Sequence, residues 1–365
     1  MHNFISNIFS PLAEYGNKLF SLKSFHFFFA DIRSNPQSIR IIRFAVGVTL
    51  AVAIASAIEW PLSFLVPVLT SVFLAMPIPM PSLKVGLANM LYTISAFSIG
   101  LVFTLFLLPF PLIYIPMLAL VLFNLYYMLN RGGSFWFVLM SLLAVLILPL
   151  LGNAHEGLAA GFAFGFVFSG WVTIFMLWLA HLLVPDPAGT PQLPKKPGMQ
   201  PGYSLPAAQA ALKSTIAVLP IVVLFITFEF TGMLLVMVFA AIFTLAPEVS
   251  KGKAAGVNSM KSTVIGGLYA FVFYHLLVVV PEYHFFIALM FLTTLFFASN
   301  IFSTKPSAKY YASAFSTLFI LVNSSLGEGA NFTSAFFLRF LFIMLATIYV
   351  VFSLMVFERY WPQRK

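Results

Sequence analysis

The chain has 365 residues, of which 61% are hydrophobic and 8% charged, with a formal net charge of +9. Soluble domains carry about 25% charged residues, so this composition excludes a water-soluble protein and points to a lipid environment. There is no cysteine, which excludes disulfides, thiolate metal sites and cysteine nucleophiles.

A helix needs about 20 apolar residues to cross a bilayer. The apolar runs show no strict alternation, so helices are expected rather than a barrel. Residues 1–40 mix Phe27, Phe28 and Phe29 with Lys18, Lys23 and Arg33. They lack the short apolar core and cleavage site of a signal peptide, and read as a cytoplasmic segment lying in the interface. A first membrane unit, 41–184, then offers spans near 41–59, 61–80, 85–108, 111–129, 134–151 and 157–184. A linker over 185–206 is rich in Pro and Gly and holds Lys195 and Lys196. A second unit, 207–358, offers spans near 208–228, 230–247, 257–280, 283–303, 310–326 and 331–357, before a tail over 359–365. The stretches 41–80 and 208–247 could each be one run, but Glu59-Trp60-Pro61 and Glu229-Phe230-Thr231-Gly232 break them into pieces still long enough to span. The expected fold is all-α: about twelve transmembrane helices in two six-helix repeats.

The two units are copies. A shift of 170 positions lays Arg43 on Lys213, Glu59 on Glu229, Pro77 on Pro247, Gly86 on Gly256 and Thr93 on Thr263. Near the end the shift becomes 172, and Glu156 meets Glu328. The coincidences fall on glycine, proline and charge rather than on interchangeable apolar residues. An even number of spans per unit makes the repeats parallel, and in duplicated transporters the sites lie between repeats.

With the N-terminus in the cytoplasm, inner turns hold Lys84, Arg131, Lys251, Lys253, Lys305 and Arg359. Outer turns hold Glu59, Glu156, Glu229, Glu282 and Glu328, with no Lys or Arg. This is the positive-inside pattern, and it expects both termini in the cytoplasm. Pro77, Pro79 and Pro81 near the inner end of the second span, and Pro247 with its polar neighbours in the eighth, mark either a pair of loops or a gate.

Charge inside a membrane is costly, so each such residue is a site candidate. Arg43, Lys213, Lys261 and Arg339 are the candidate anion ligands, although the first three could snorkel to inner headgroups. Asn89 and Thr263 are candidate polar contacts. No carboxylate falls in mid-membrane, so His275, Glu156 and Glu328 are the candidates for proton coupling. The outer glutamates could instead be structural corners. His181 reads as interfacial. Lys261 and Arg339 have Leu91 and Val167 as repeat mates, so an anion site is expected in the asymmetry of the second unit. No Walker loop, Gly-x-Ser-x-Gly or His-Glu-x-x-His occurs, so no enzyme is expected and no cofactor is implied.

The cationic start of each unit, the outer Glu-Trp-Pro-like corner, the proline-ended second span and the inner loop with Lys and Gly resemble the fusaric-acid-resistance-like superfamily. That superfamily includes bacterial aromatic-acid exporters and is distantly similar to plant aluminium-activated malate transporters. The resemblance covers about residues 38–358, and Lys261-Ser262-Thr263-Val264-Ile265-Gly266-Gly267 looks like the start of its third helix. The first unit departs at Leu91, and the cytoplasmic domain of the larger exporters is missing. The resemblance implies a compact, membrane-only exporter of small organic, chiefly aromatic, anions in the bacterial inner membrane. It would be driven by the proton gradient, with a periplasmic adaptor of the membrane-fusion type as partner; a homo-oligomer is compatible with it. An anion channel or passive permease of the same fold, and a non-transporting scaffold for an adaptor, are the alternatives.

Overall fold

The computed structural model describes residues 36–60, 62–76, 80–186, 198–199, 202–246, 248–325 and 332–360. Most of the expected interfacial segment and linker, and Glu328, lie outside them. The described residues form twelve α-helices and no strand: α1 Pro36–Ile58, α2 Leu65–Ala75, α3 Leu83–Leu107, α4 Pro111–Asn130, α5 Phe135–Ala154, α6 Glu156–Leu183, α7 Leu205–Thr227, α8 Leu234–Phe243, α9 Val249–Val279, α10 Tyr283–Ile301, α11 Ala308–Ser325 and α12 Phe332–Tyr360. Nine are long and apolar enough to cross a membrane. Apolar side chains such as Leu112, 92% exposed, cover the outside of the bundle, as a lipid-facing surface requires.

Three helices fall outside these nine: α11, which is 18 residues long but less apolar, and α2 and α8, whose length corrects the expectation of twelve full spans. With 11 and 10 residues, each is about 16 Å long, half of a hydrocarbon core about 30 Å thick. Hydropathy counts apolar residues and does not see the backbone. Met76 precedes Pro77, and a residue before proline is pushed out of the helical region; Met76 has φ −75° and ψ 143°. The α8 break is capped by other helices. Tyr126 of α4 donates to the Ala241 carbonyl at 3.1 Å, and Ser214 of α7 donates to the Thr244 carbonyl at 2.6 Å. Carbonyls freed at membrane depth need such partners.

The turns alternate between two ends. One carries Lys84, Arg131, Asp186, Lys251 and Lys305, the other Glu59, Glu156, Glu229 and Glu282. Cross-contacts fix each end: Gln37 Nε2 donates to the Phe302 carbonyl at 2.6 Å at the basic end, and Tyr283 donates to the Ala53 carbonyl at 3.1 Å at the acidic end.

The repeat is visible in the packing. Helix α3 lies on α5 and α6 as α9 lies on α11 and α12, and α2 lies on α6 as α8 lies on α12. Between the units, α1 packs on α10 as α7 packs on α4, and α2 on α11 as α8 on α5. The corner residues agree in detail: Glu59 and Glu229 are both left-handed, with φ 47° and 53°. At Glu229 the Phe230 N–H reaches back to the Phe225 carbonyl at 3.1 Å, the Schellman closure that usually places glycine where Glu229 stands. Gly86 and Gly256 also share a role. A Cβ on Gly86 would lie 2.3 Å from the Trp178 ring of α6, and one on Gly256 2.2 Å from Thr347 of α12. Small residues let helices approach in lipid, where packing drives association.

The packing also crosses the repeats. One apolar core joins α4 and α5 to α7, α8 and α12, and a second joins α1, α2 and α6 to α9, α10 and α11.

Candidate functional site

Arg43, on the second turn of α1, is buried and committed. Its Nη2 lies 2.7 Å from Asp186 Oδ1, and its Nε donates to the Val184 carbonyl at 2.8 Å. It therefore ties the start of α1 to the end of α6 and satisfies a carbonyl that the helix end leaves free. Its mate Lys213 is half-buried on α7, and no described carboxylate lies within 4 Å of it.

Arg339 is different. It lies on α12, and no described carboxylate lies within 4 Å of it. Its guanidinium sits 5.8 Å from the Phe239 ring centroid of half-helix α8, its Nη2 is 3.4 Å from Thr317 Oγ1 of α11, and its Nε is buried without a partner. The Thr317 contact is long for a hydrogen bond. A Cβ on Gly266 of α9 would lie 2.9 Å from Thr317, so α9 passes close to this group. Thr263, one turn away on α9, is buried and its hydroxyl has no partner. In the first unit the positions of Thr317 and Arg339 hold Ile147 and Val167. The second unit has thus gained a polar group where the first is apolar, and two of the predicted residues, Arg339 and Thr263, belong to that region.

A cavity of about 230 Å³ lies in the first unit, between the α2 and α3 region and helices α5 and α6. Phe73, Trp136, Ile174 and Leu177 form apolar wall, and Asn89 and His181 are its polar residues. Val85 and Phe135, 50% and 49% exposed, are the most open lining residues. Trp136 donates to Thr93 Oγ1 at 2.8 Å, and Trp178 donates to the Pro81 carbonyl at 2.9 Å. Asn89 is thus the predicted residue that the structure puts in a cavity. His181 stands in the last turn of α6, near the basic end, and is buried, 6% exposed.

The other predicted residues are not brought together. Lys261 is exposed, three turns inside α9, with Nζ 5.5 Å from the Tyr310 ring centroid. It lies deeper in its helix than expected because α9 begins at Val249, not near 257. His275 is exposed, bonded to the Phe271 carbonyl of its own helix at 2.8 Å. Glu156 is exposed at the acidic end, in the first turn of α6. Glu328 lies outside the described residues. Among the described residues no group of three His, Asp or Glu is placed to hold a metal.

Residues 40–180 match a family described as a protein of unknown function, DUF2955. No curated protein and no solved structure matches the chain. The matched stretch runs from the start of α1 to the last turns of α6, so it takes in the whole cavity wall except His181, one residue beyond it. The likeness to the exporter superfamily rests on the motifs alone. Asp186, Trp136 and Thr317, which the sequence leaves unmarked, and His181, which it marks only as interfacial, are the residues that hold or complete these sites.

Proposed function

We propose that the protein is a secondary transporter that exports small organic anions, aromatic ones in particular, across the bacterial inner membrane under the proton gradient. The observation that carries this reading is Arg339. Arg339 is half-buried, with its Nε enclosed and unpartnered; a cation drawn from water without a counter-ion is unfavourable, and an anionic substrate is the partner that would relieve it. The setting supports transport: α12 faces α8, one of two half-length helices in matching positions of the repeats, and broken helices of this kind form binding sites in duplicated transporters. The basic end would then face the cytoplasm. The acidic end, with Glu59, Glu156, Glu229 and Glu282, would face the periplasm, where an adaptor of the membrane-fusion type would dock.

The test is counterflow of labelled benzoate in liposomes holding the purified chain, with an imposed pH gradient. Movement above empty liposomes that disappears with Arg339→Val supports the reading. No movement of any aromatic acid under either gradient direction defeats it. Step-like anion currents in a planar bilayer would turn it into the channel alternative.

A further inference from the structure

His181 stands at the end of α6 with its two ring nitrogens in different situations. Nδ1 lies 2.8 Å from the Leu177 carbonyl oxygen. A carbonyl only accepts, so Nδ1 carries the proton and Nε2 of the neutral ring presents a lone pair. Nε2 is buried without a partner, on a residue that lines the 230 Å³ cavity. A cavity of about 150 Å³ already holds benzene, so this one accommodates a ring with a carboxyl-sized substituent. Two polar groups of the lining residues are uncommitted: the Asn89 carboxamide, which engages no described residue, and His181 Nε2, which is itself enclosed. The indole of Trp136 is taken by Thr93, and that of Trp178 by Pro81. The charged groups that act on His181 from neighbouring elements are Arg43 of α1 and Asp186 beyond α6, and these are paired with each other.

We infer that this cavity binds a one-ring aromatic carboxylic acid together with a single proton, shared between the ligand carboxyl and His181 Nε2. The aromatic anion arrives from neutral water without a proton, so the complex takes one from solvent. The proton sits on Nε2 facing a carboxylate, or on the carboxyl facing neutral Nε2; both forms have the same net charge and the same atoms. The Asn89 amide donates to the second carboxyl oxygen, and the ring lies against Phe73 and Trp136. The repeat shift puts Ser259 and Ser353 at the positions of Asn89 and His181, so the pair belongs to the first unit alone. The inference rests on the transporter reading for its context and goes beyond it, by assigning a second site, in the first unit and apart from Arg339, and the residue that handles the proton there.

Titration calorimetry of the full chain in lipid nanodiscs, with benzoate in two buffers of different protonation enthalpy, reads the proton directly. The expected result near pH 8 is close to one proton taken up per benzoate, with affinity falling about tenfold per pH unit. Benzamide, which has no acidic proton, binds without uptake. His181→Gln keeps a hydrogen-bonding amide but cannot take the proton, so benzoate binding becomes flat with pH and uptake vanishes. Asn89→Leu, which leaves His181 in place, weakens benzoate tenfold or more with uptake intact. The inference is overturned if the wild type fails to bind benzoate or binds it without uptake, if uptake survives His181→Gln, or if Asn89→Leu binds normally. Benzoate transport with an unchanged pH profile in His181→Gln removes the inference and leaves the transporter reading. Proton-linked binding by a protein that moves no benzoate does the reverse.

Discussion

Trp136 donates its indole N–H to Thr93 Oγ1 at 2.8 Å, whereas Thr263, the repeat mate of Thr93, has a buried hydroxyl without a partner. Two identical threonines thus have opposite environments. Trp136→Phe keeps the ring and removes the donor. Loss of one buried hydrogen bond costs about 1 kcal/mol, so a fall of about 1–2 °C in Tm is expected for a chain of this size. Thr263→Val removes an unsatisfied hydroxyl and should leave Tm unchanged or higher. A fall with Thr263→Val as large as that with Trp136→Phe would show that Thr263 has a partner.

Arg339→Val installs the residue of the first unit. Removing a half-buried cation that has no described carboxylate partner should leave thermal stability unchanged or slightly higher. Anion transport should drop at least tenfold. A stable variant with full transport would show that the guanidinium does not meet the substrate.

Arg43 and Asp186 form a pair across the α1–α6 junction, with Asp186 the more exposed partner. Removing one member leaves a charge unpaired. Because Asp186 is partly in solvent, a loss of about 1–3 kcal/mol is expected for Arg43→Met, below the range for fully buried pairs. The double change Arg43→Met with Asp186→Leu should cost less than the sum of the singles. Additive losses in a double-mutant cycle would mean that the two side chains do not interact.

Glu59 and Glu229 hold left-handed backbone at the acidic corners. That conformation costs a non-glycine residue about 1–2 kcal/mol, while glycine costs about 0.5–1 through the unfolded chain. Glu59→Gly should therefore be neutral or slightly stabilising. Glu229→Gly also loses the bond from Asn153 Nδ2, 3.1 Å long, and should be close to neutral. If either change abolishes transport while Tm holds, that corner acts on substrate or protons rather than on chain direction.

The chain lacks cysteine, so paired cysteines give an unambiguous cross-link. Thr49 of α1 and Thr294 of α10 have hydroxyl oxygens 3.2 Å apart. Thr49→Cys with Thr294→Cys should form a disulfide on mild oxidation, seen as a mobility shift that reductant reverses. Absence of the shift would contradict the contact between the units.

Much of this architecture is legible in the sequence because apolar runs and their interruptions report helices directly. The repeat shift reports corners as well: Glu59 and Glu229 align before any backbone angle is known. Three things are not legible. Helix length fails at α2 and α8, since Pro77 acts on the backbone of Met76 and leaves hydropathy untouched. Depth fails at Lys261, because the helix start near Val249 is polar and hides in an apparent loop. Partnership fails at Arg43 and His181: Asp186 looks like the start of a linker, 143 residues from Arg43, and the burial of His181 comes from packing that no local pattern encodes. The gain at Thr317 is visible in the sequence only once Ile147 is set beside it.

The crossed cores have a consequence for biosynthesis. At about 5–20 residues per second, a ribosome needs on the order of ten seconds or more to pass from α2 to α11, the helix on which α2 packs. Until then the half-length helix α2 leans mainly on α1 and α6 of its own unit. The first half therefore packs on itself before it packs on the second, and both of the shared cores close only when the last helices arrive.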